Sequence, residues 1–205
     1  MLELGFTGGP TGIFAENFFT RRIRVALPST FIKAMHPKTE IRPHAESIRK
    51  ILEKGWVGQL KIHGHRAQLH VPADPKLPVI AYTRQGKTHG KPLPPKMQKE
   101  IRRVFAPETG WNVLDAEWLK PAEKIFVFDI LKKDGEVLRK LPYPERWKLL
   151  RRDYLSPYLQ TLPLIKDVKG CLEALERPEA FIEGLVFKSS STPGFSDTSI
   201  IRCRR

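Results

Sequence analysis

The stretch Gln59-Leu60-Lys61-Ile62-His63-Gly64-His65-Arg66-Ala67-Gln68-Leu69-His70 sets one lysine behind an apolar run, with a glycine and an arginine close after it. Residues 57–60 and 67–71 have the composition of strands, with a tight turn between them. A reactive side chain at such a turn stands on a rigid base. A lysine amine attacks only after shedding its proton near neutral pH, which burial or a neighbouring cation promotes. Gly64 lets the backbone approach a bulky phosphate, and Arg66 offers a planar fork to its oxygens. A Lys-x-x-Gly turn is equally compatible with a solvated hairpin. The surrounding chain has to decide.

Working outward, apolar spacing predicts a helix over residues 44–54 with Gly55 as its stop, and a basic helix over 93–105. Strands are predicted over 21–27, 79–83, 111–119, 124–131 and 180–189, a surface helix over 143–154, and a helix within 165–175. Residues 84–87 and 133–136 carry turn chemistry, and 189–199 reads as a Ser/Thr/Gly loop. Residues 1–20 are rich in glycine and phenylalanine and read as an arm or loop. Many strands with interspersed helices, and no regular βαβ alternation, imply one α+β domain over 1–205 with antiparallel sheets.

The chain has 36 Lys and Arg against 22 Asp and Glu, a net charge of +14 and a pI near 10.0. That excess points to a polyanionic partner, nucleic acid ahead of an anionic membrane. No apolar run approaches the ~20 residues of a membrane span, and the N-terminus lacks the layout of a signal peptide. Cys171 and Cys203 are too few for a disulfide framework, so a reducing, cytoplasmic setting is expected. His63, His65 and His70 alternate along the chain without a convergent partner, which argues against zinc.

Three acids interrupt segments that ought to be apolar: Glu117, Asp129 and Glu183. A buried carboxylate is costly unless paired or bound to a cation. With Lys61, Arg66, Lys188, Arg202 and Arg204, they offer a lysine nucleophile, carboxylates for a divalent metal and cations for phosphates. Phe126 and Phe128 can stack on a base. The implied chemistry is in-line displacement at phosphorus by the amine, with magnesium as the natural oxygen-ligated ion.

In order and spacing, these segments resemble the covalent nucleotidyltransferases, the family of ATP-dependent polynucleotide (DNA and RNA) ligases and messenger-RNA capping enzymes. Lys61-Ile62-His63-Gly64-His65-Arg66 is similar to the family's Lys-x-Asp-Gly-x-Arg, and Ala67-Gln68-Leu69-His70 to its continuation in DNA ligases of archaeal and eukaryotic type. Arg84-Gln85-Gly86-Lys87, Leu114-Asp115-Ala116-Glu117, residues 126–131, and Glu183-Gly184-Leu185-Val186-Phe187-Lys188 resemble the motifs that follow. The likeness implies an adenylation domain, ATP-grasp-like, of two antiparallel sheets with flanking helices. It implies that Lys61 takes AMP from ATP with Mg2+ (or Mn2+), passes it to a 5′-phosphate, and that a 3′-hydroxyl then seals the nick, as in DNA repair and replication. Carried over, Gln59 and Leu60 border the adenine and Phe128 stacks on it. Arg66 and Glu117 hold the ribose, while Lys188, Arg202 and Arg204 serve the nucleotide phosphates. Arg84 and Lys87 meet the nucleic acid, and Glu183 and Glu117 bind metal. The partner implied is a nicked DNA or RNA duplex, handled by a monomer.

The sequence departs from the pattern at three points. His63 stands where most DNA ligases have aspartate, while several RNA ligases of the nick-sealing type have Lys-x-His-Gly. Arg202-Cys203-Arg204 replaces the usual Lys-x-Lys, and arginine is not equivalent to lysine in a tight phosphate site. The chain stops at that motif, without the small β-barrel that follows in the family. Substrate grip would then come from the basic surface or residues 1–50, unless this is a piece of a longer protein. A DNA-joining ligase leads this reading. An RNA ligase, a capping guanylyltransferase and a catalytically decayed nucleic-acid-binding module are the alternatives.

Overall fold

The lysine-bearing turn does not close a hairpin. The strand before it (Trp56–Ile62) and the strand after it (His65–Pro72) enter different sheets. Both have nearly continuous burial, which a two-stranded solvated hairpin could not give them. The structure, a computed structural model, describes residues 29–33, 35–151 and 153–205. The strand expected over 21–27 and the arm expected over 1–20 lie outside the described residues.

Among the described residues, the first sheet runs in the order β1 (Thr39–Glu40), β10 (Ile200–Arg204), β9 (Ile182–Ser189), β2 (Trp56–Ile62). The second runs β4 (Ile80–Tyr82), β3 (His65–Pro72), β5 (Trp111–Leu119), β6 (Lys124–Lys133), β7 (Glu136–Val137), with β8 (Leu159–Thr161) also on β6. The expected α+β class with two sheets and flanking helices is what is found. Pairing is antiparallel except for β1 on β10 and β8 on β6, which are parallel.

Period-two alternation makes each sheet two-faced. In the first, Leu60, Ile62, Leu185, Phe187 and Cys203 join one buried cluster with Ile48 and Ile51 of α1 (Ala45–Glu53) and Cys171 and Ala174 of α4 (Val168–Leu175). In the second, Ala67, Leu69, Leu114, Ala116 and Trp118 pack with Met97, Ile101 and Phe105 of α2 (Pro95–Phe105). Helices therefore cover the outer faces. The inner faces carry the alternate residues, many of them polar.

One expectation changes. Residues 143–154 form only the short α3 (Tyr143–Lys148), and it is not a surface helix, since Tyr143 and Arg146 are buried. Arg146 is drawn in by Asp129, with which it shares two hydrogen bonds of 3.0 and 2.8 Å. The C-terminal residues form a full strand, β10. No helix among the described residues is long and apolar enough to cross a membrane.

Candidate active site

The inner faces converge on a cavity of about 550 Å³. The first sheet contributes Gln59 and Lys61 from β2, Val186 and Lys188 from β9, and Ile200 and Arg202 from β10. The second contributes Arg66, Glu117 and Phe128. The strand registers explain the grouping: Gln59 pairs with Val186 and Val57 with Lys188, while Val186 pairs with Arg202 and Lys188 with Ile200. Glu183 breaks the alternation to reach the same cavity. Lys61 pairs with Gly184 but Ile62 with Ile182, so Glu183 is the extra residue of a bulge.

That bulge places the Glu183 carboxylate 2.5 Å from Lys61 Nζ and 3.5 Å from His63 Nδ1. Burial opposes ionisation of Glu183, yet the hydrogen bond and charge of Lys61, then those of His63, hold its carboxyl below the ordinary glutamate value. Gly184 makes the bulge possible. Its φ of 143° suits glycine, and a Cβ there would overlap the Cys203 carbonyl oxygen.

Across the cavity Arg66 binds Asp115 through both ends of its guanidinium, with Nε to Oδ1 at 2.5 Å. Its Cζ lies 5.1 Å from the centre of the Phe128 ring. The desolvation that would ease its deprotonation is outweighed by Asp115, so its pKa is raised. Arg66 is thus committed to Asp115, not to Glu117 beside it. Glu117 has burial as its dominant influence, which pushes its carboxyl up to about 7 against Arg66 and Lys61. Gly64 serves the backbone as much as any phosphate, since a Cβ there would sit 2.9 Å from the Trp118 carbonyl oxygen and 3.0 Å from Glu117 Cγ.

At the cavity floor Lys188 is buried, its Nζ 4.0 Å from the Tyr143 ring centre and 4.6 Å from that of Phe128. It donates to Gln59 Oε1 at 3.3 Å, and Gln59 donates in turn to the Leu162 carbonyl at 3.0 Å. Burial lowers Lys188 to about 7, despite the pull of Asp129 and Asp115. Asp129, taken from sequence as a metal carboxylate, is instead spent on Arg146, both side chains being fully buried. Phe126 is also reassigned, since it packs in the core against Phe181 while Phe128 faces the cavity.

At the mouth, Arg84 and Arg202 line the cavity together with His36. Arg204 and Lys87 are not among the lining residues. Arg204 is engaged with Glu40 through Nε and Nη2 at 2.8 and 2.9 Å, and Lys87 is exposed in the turn after β4. Sequence reasoning missed His36, Asp115 and Glu40. Asp115 was visible as an acid in an apolar strand, whereas His36 and Glu40 lie in a stretch with no periodicity to mark them.

Among the described residues no group of three or more His, Cys, Asp and Glu side chains converges as a metal site. Magnesium asks less than that, taking one or two carboxylates with phosphates and water for the rest. Glu183 and Glu117 line one cavity and fit that role.

No family model and no curated protein matches the chain. Solved structures do. A ligase domain from M. tuberculosis LigD aligns over 71% of this chain and 52% of its own, with 18% identity and a TM-score of 0.51. A structure titled Pmar-Lig_PreS3 aligns over 85% of this chain and 47% of its own, with 16% identity and a TM-score of 0.52. The fold is that of a ligase domain. A mycobacterial DNA ligase D complexed with ATP and MES also matches, at 18% identity over 73% of this chain and 54% of that one, with a TM-score of 0.48. The chain spans about half the length of these structures.

Proposed function

We propose that this chain is the adenylation domain of an ATP-dependent polynucleotide ligase. The observation that carries the reading is the pairing of Lys61 with Glu183 at 2.5 Å inside a cavity that also holds Phe128, Lys188, Arg66 and Arg202. Lys61 Nζ attacks the α-phosphorus of ATP. An N–P bond forms, the P–O bond to the β-phosphate breaks, and pyrophosphate leaves. The amine must first lose its proton to solvent; Glu183 Oε2, its carboxyl held below the ordinary glutamate value, accepts the hydrogen bond that orients Nζ. Glu183 and Glu117 would hold Mg2+ or Mn2+, which when bound neutralises charge on the polyphosphate. AMP then passes to a 5′-phosphate, and a 3′-hydroxyl displaces it to seal the strand. Phe128 supplies the ring for the adenine, and Arg84 and Lys87 the cations for the nucleic acid.

The substrate is a nicked duplex, with DNA favoured by the segment Ala67-Gln68-Leu69-His70. One observation favours RNA in its place: His63 stands at the aspartate position and reaches Glu183. The test is sealing of nicked duplexes whose broken strand is DNA or RNA, with ATP and magnesium. Sealing of the DNA nick upholds the leading reading and sealing confined to RNA selects the second. GTP dependence would move the chain to capping chemistry. No sealing of either, with the cavity still binding ATP, would leave a binding module.

A further inference from the structure

The last cations of the cavity are held by a segment that none of the motifs includes. Residues 35–40 cross from one sheet to the other. Just before them, Ile32 exchanges two hydrogen bonds with the Gln68 amide of β3, at 2.9 and 2.7 Å. At the far end, Thr39 and Glu40 pair in parallel with Ile201 and Arg202 of β10. Between these anchors the His36 amide donates to Asp197 at 2.8 Å, and Lys38 pairs with the same carboxylate at 3.3 Å. We propose that this strap is a positioning element, in which His36 aims Arg84 and Glu40 aims Arg202 to make a two-arginine phosphate site at the cavity mouth. It deepens the ligase reading, on which the identity of the phosphate rests.

The bonding pattern carries the assignment. His36 Nε2 lies 3.1 Å from Arg84 Nη1. A guanidinium only donates, so Nε2 is the acceptor and the ring is neutral, its proton on Nδ1. Burial first, then Arg84 and Arg66, with Arg202 beyond them, hold the ring below the ordinary histidine pKa; Asp197 pulls the other way. Those are the charged groups facing the ring from the turn after β4, from β3, from β10 and from the turn before it. Glu40 takes Nε of Arg202, at 2.9 Å, and among the described residues no hydrogen bond engages the terminal amines of that guanidinium, which lines the cavity. Arg204 grips the same carboxylate at two points. Arg204 therefore braces Glu40, and Glu40 orients Arg202. Two bidentate-capable cations held against one carboxylate keep a net positive charge for an anion. The shared chemistry is a phosphate, either the polyphosphate tail of a nucleotide or the 5′-phosphate of a strand end.

The test is a pair of double-mutant cycles read by calorimetry, without metal. The probes are tripolyphosphate, and a 5′-phosphorylated oligonucleotide beside its unphosphorylated twin. His36→Leu and Glu40→Ala are each expected to weaken phosphate binding about tenfold, with His36→Gln, which keeps an acceptor, restoring most of it. In Arg84→Ala and Arg202→Ala backgrounds, respectively, the strap substitutions should have no further effect, because they act through those arginines. A loss read with tripolyphosphate assigns the site to the nucleotide tail, and a loss only of preference for the phosphorylated oligonucleotide assigns it to the strand end; both support the proposal. It is overturned if the losses persist in the arginine-free backgrounds, if there are none, or if the parent protein binds neither probe. Intact cycles in a protein that never forms a nucleotide adduct would sink the ligase reading while leaving the strap in place.

Discussion

Arg66 on β3 and Asp115 on β5 form a two-point ion pair that crosses the register diagonally, since Arg66 sits opposite Glu117 and Asp115 opposite Gln68. Phe128 covers the guanidinium from the cavity side. Asp115 is almost fully enclosed. Replacing it with alanine strands a partly buried cation, which costs about 3 kcal/mol by analogy with broken buried pairs. Chemical denaturation of Asp115→Ala should show that loss. An unchanged midpoint would mean that water already shares the pair.

Gly184→Ala should be at least as damaging. The backbone there has φ 143°, and the added methyl meets the Cys203 carbonyl of the adjacent strand. Strain of about 1–3 kcal/mol is expected from the dihedral alone, with the clash added to it. The same shift would carry Glu183 away from Lys61. The measurement is again a denaturation midpoint, and wild-type stability in the variant would show that β9 and β10 separate easily.

Lys188 is expected to trade stability for binding. In the unfolded chain its ammonium persists to 10.5, whereas burial lowers it to about 7 in the fold. The unfolded state therefore binds more protons between those values, so the cost of Lys188 is fully present below 7 and fades as pH rises towards 10.5. Asp129 and Asp115 keep Arg146 and Arg66 as partners without it. Lys188→Met should stabilise the protein at pH 7 by about 2 kcal/mol, less at pH 10, and lose nucleotide binding. A destabilised variant would contradict this account of the floor.

Glu117 gives the opposite slope. Burial raises its carboxyl from 4.5 to about 7, so between those values the folded protein holds a proton that the unfolded chain releases. Its contribution to stability is complete below about 4.5 and is lost as pH climbs through 7. Against Glu117→Gln, the wild-type protein should lose on the order of 2 kcal/mol between pH 5 and pH 7.5. Parallel pH profiles for the two proteins would place Glu117 in contact with water.

Lys61, Glu117 and Glu183 were legible as candidate chemistry because each is a charged residue interrupting an apolar strand segment, and Arg66, Phe128 and Lys188 because they fall in the family-like motifs around them. The α+β class was legible from many strand-like segments with interspersed helices and no regular βαβ alternation. Partner choice was not. Nothing in one dimension says that Arg66 takes Asp115 or that Asp129 takes Arg146, because these contacts depend on strand register and on a buried arginine in a helix that reads as surface. The bulge that turns Glu183 towards Lys61 is invisible to period-two counting, although the Gly184 behind it was a signal. The strap was hidden altogether, since it has hardly any regular structure of its own and works through contacts at its two ends.

The central claim is that Lys61 is a nucleophile for the α-phosphorus of ATP. The most direct measurement is incubation with magnesium and α-labelled ATP, followed by denaturing electrophoresis and peptide mass mapping, with Lys61→Ala beside it. The account predicts a covalent AMP on the peptide containing Lys61, reversed by added pyrophosphate and absent from the variant. No adduct, from protein first shown to be free of bound AMP, or an adduct that survives in Lys61→Ala, would contradict it.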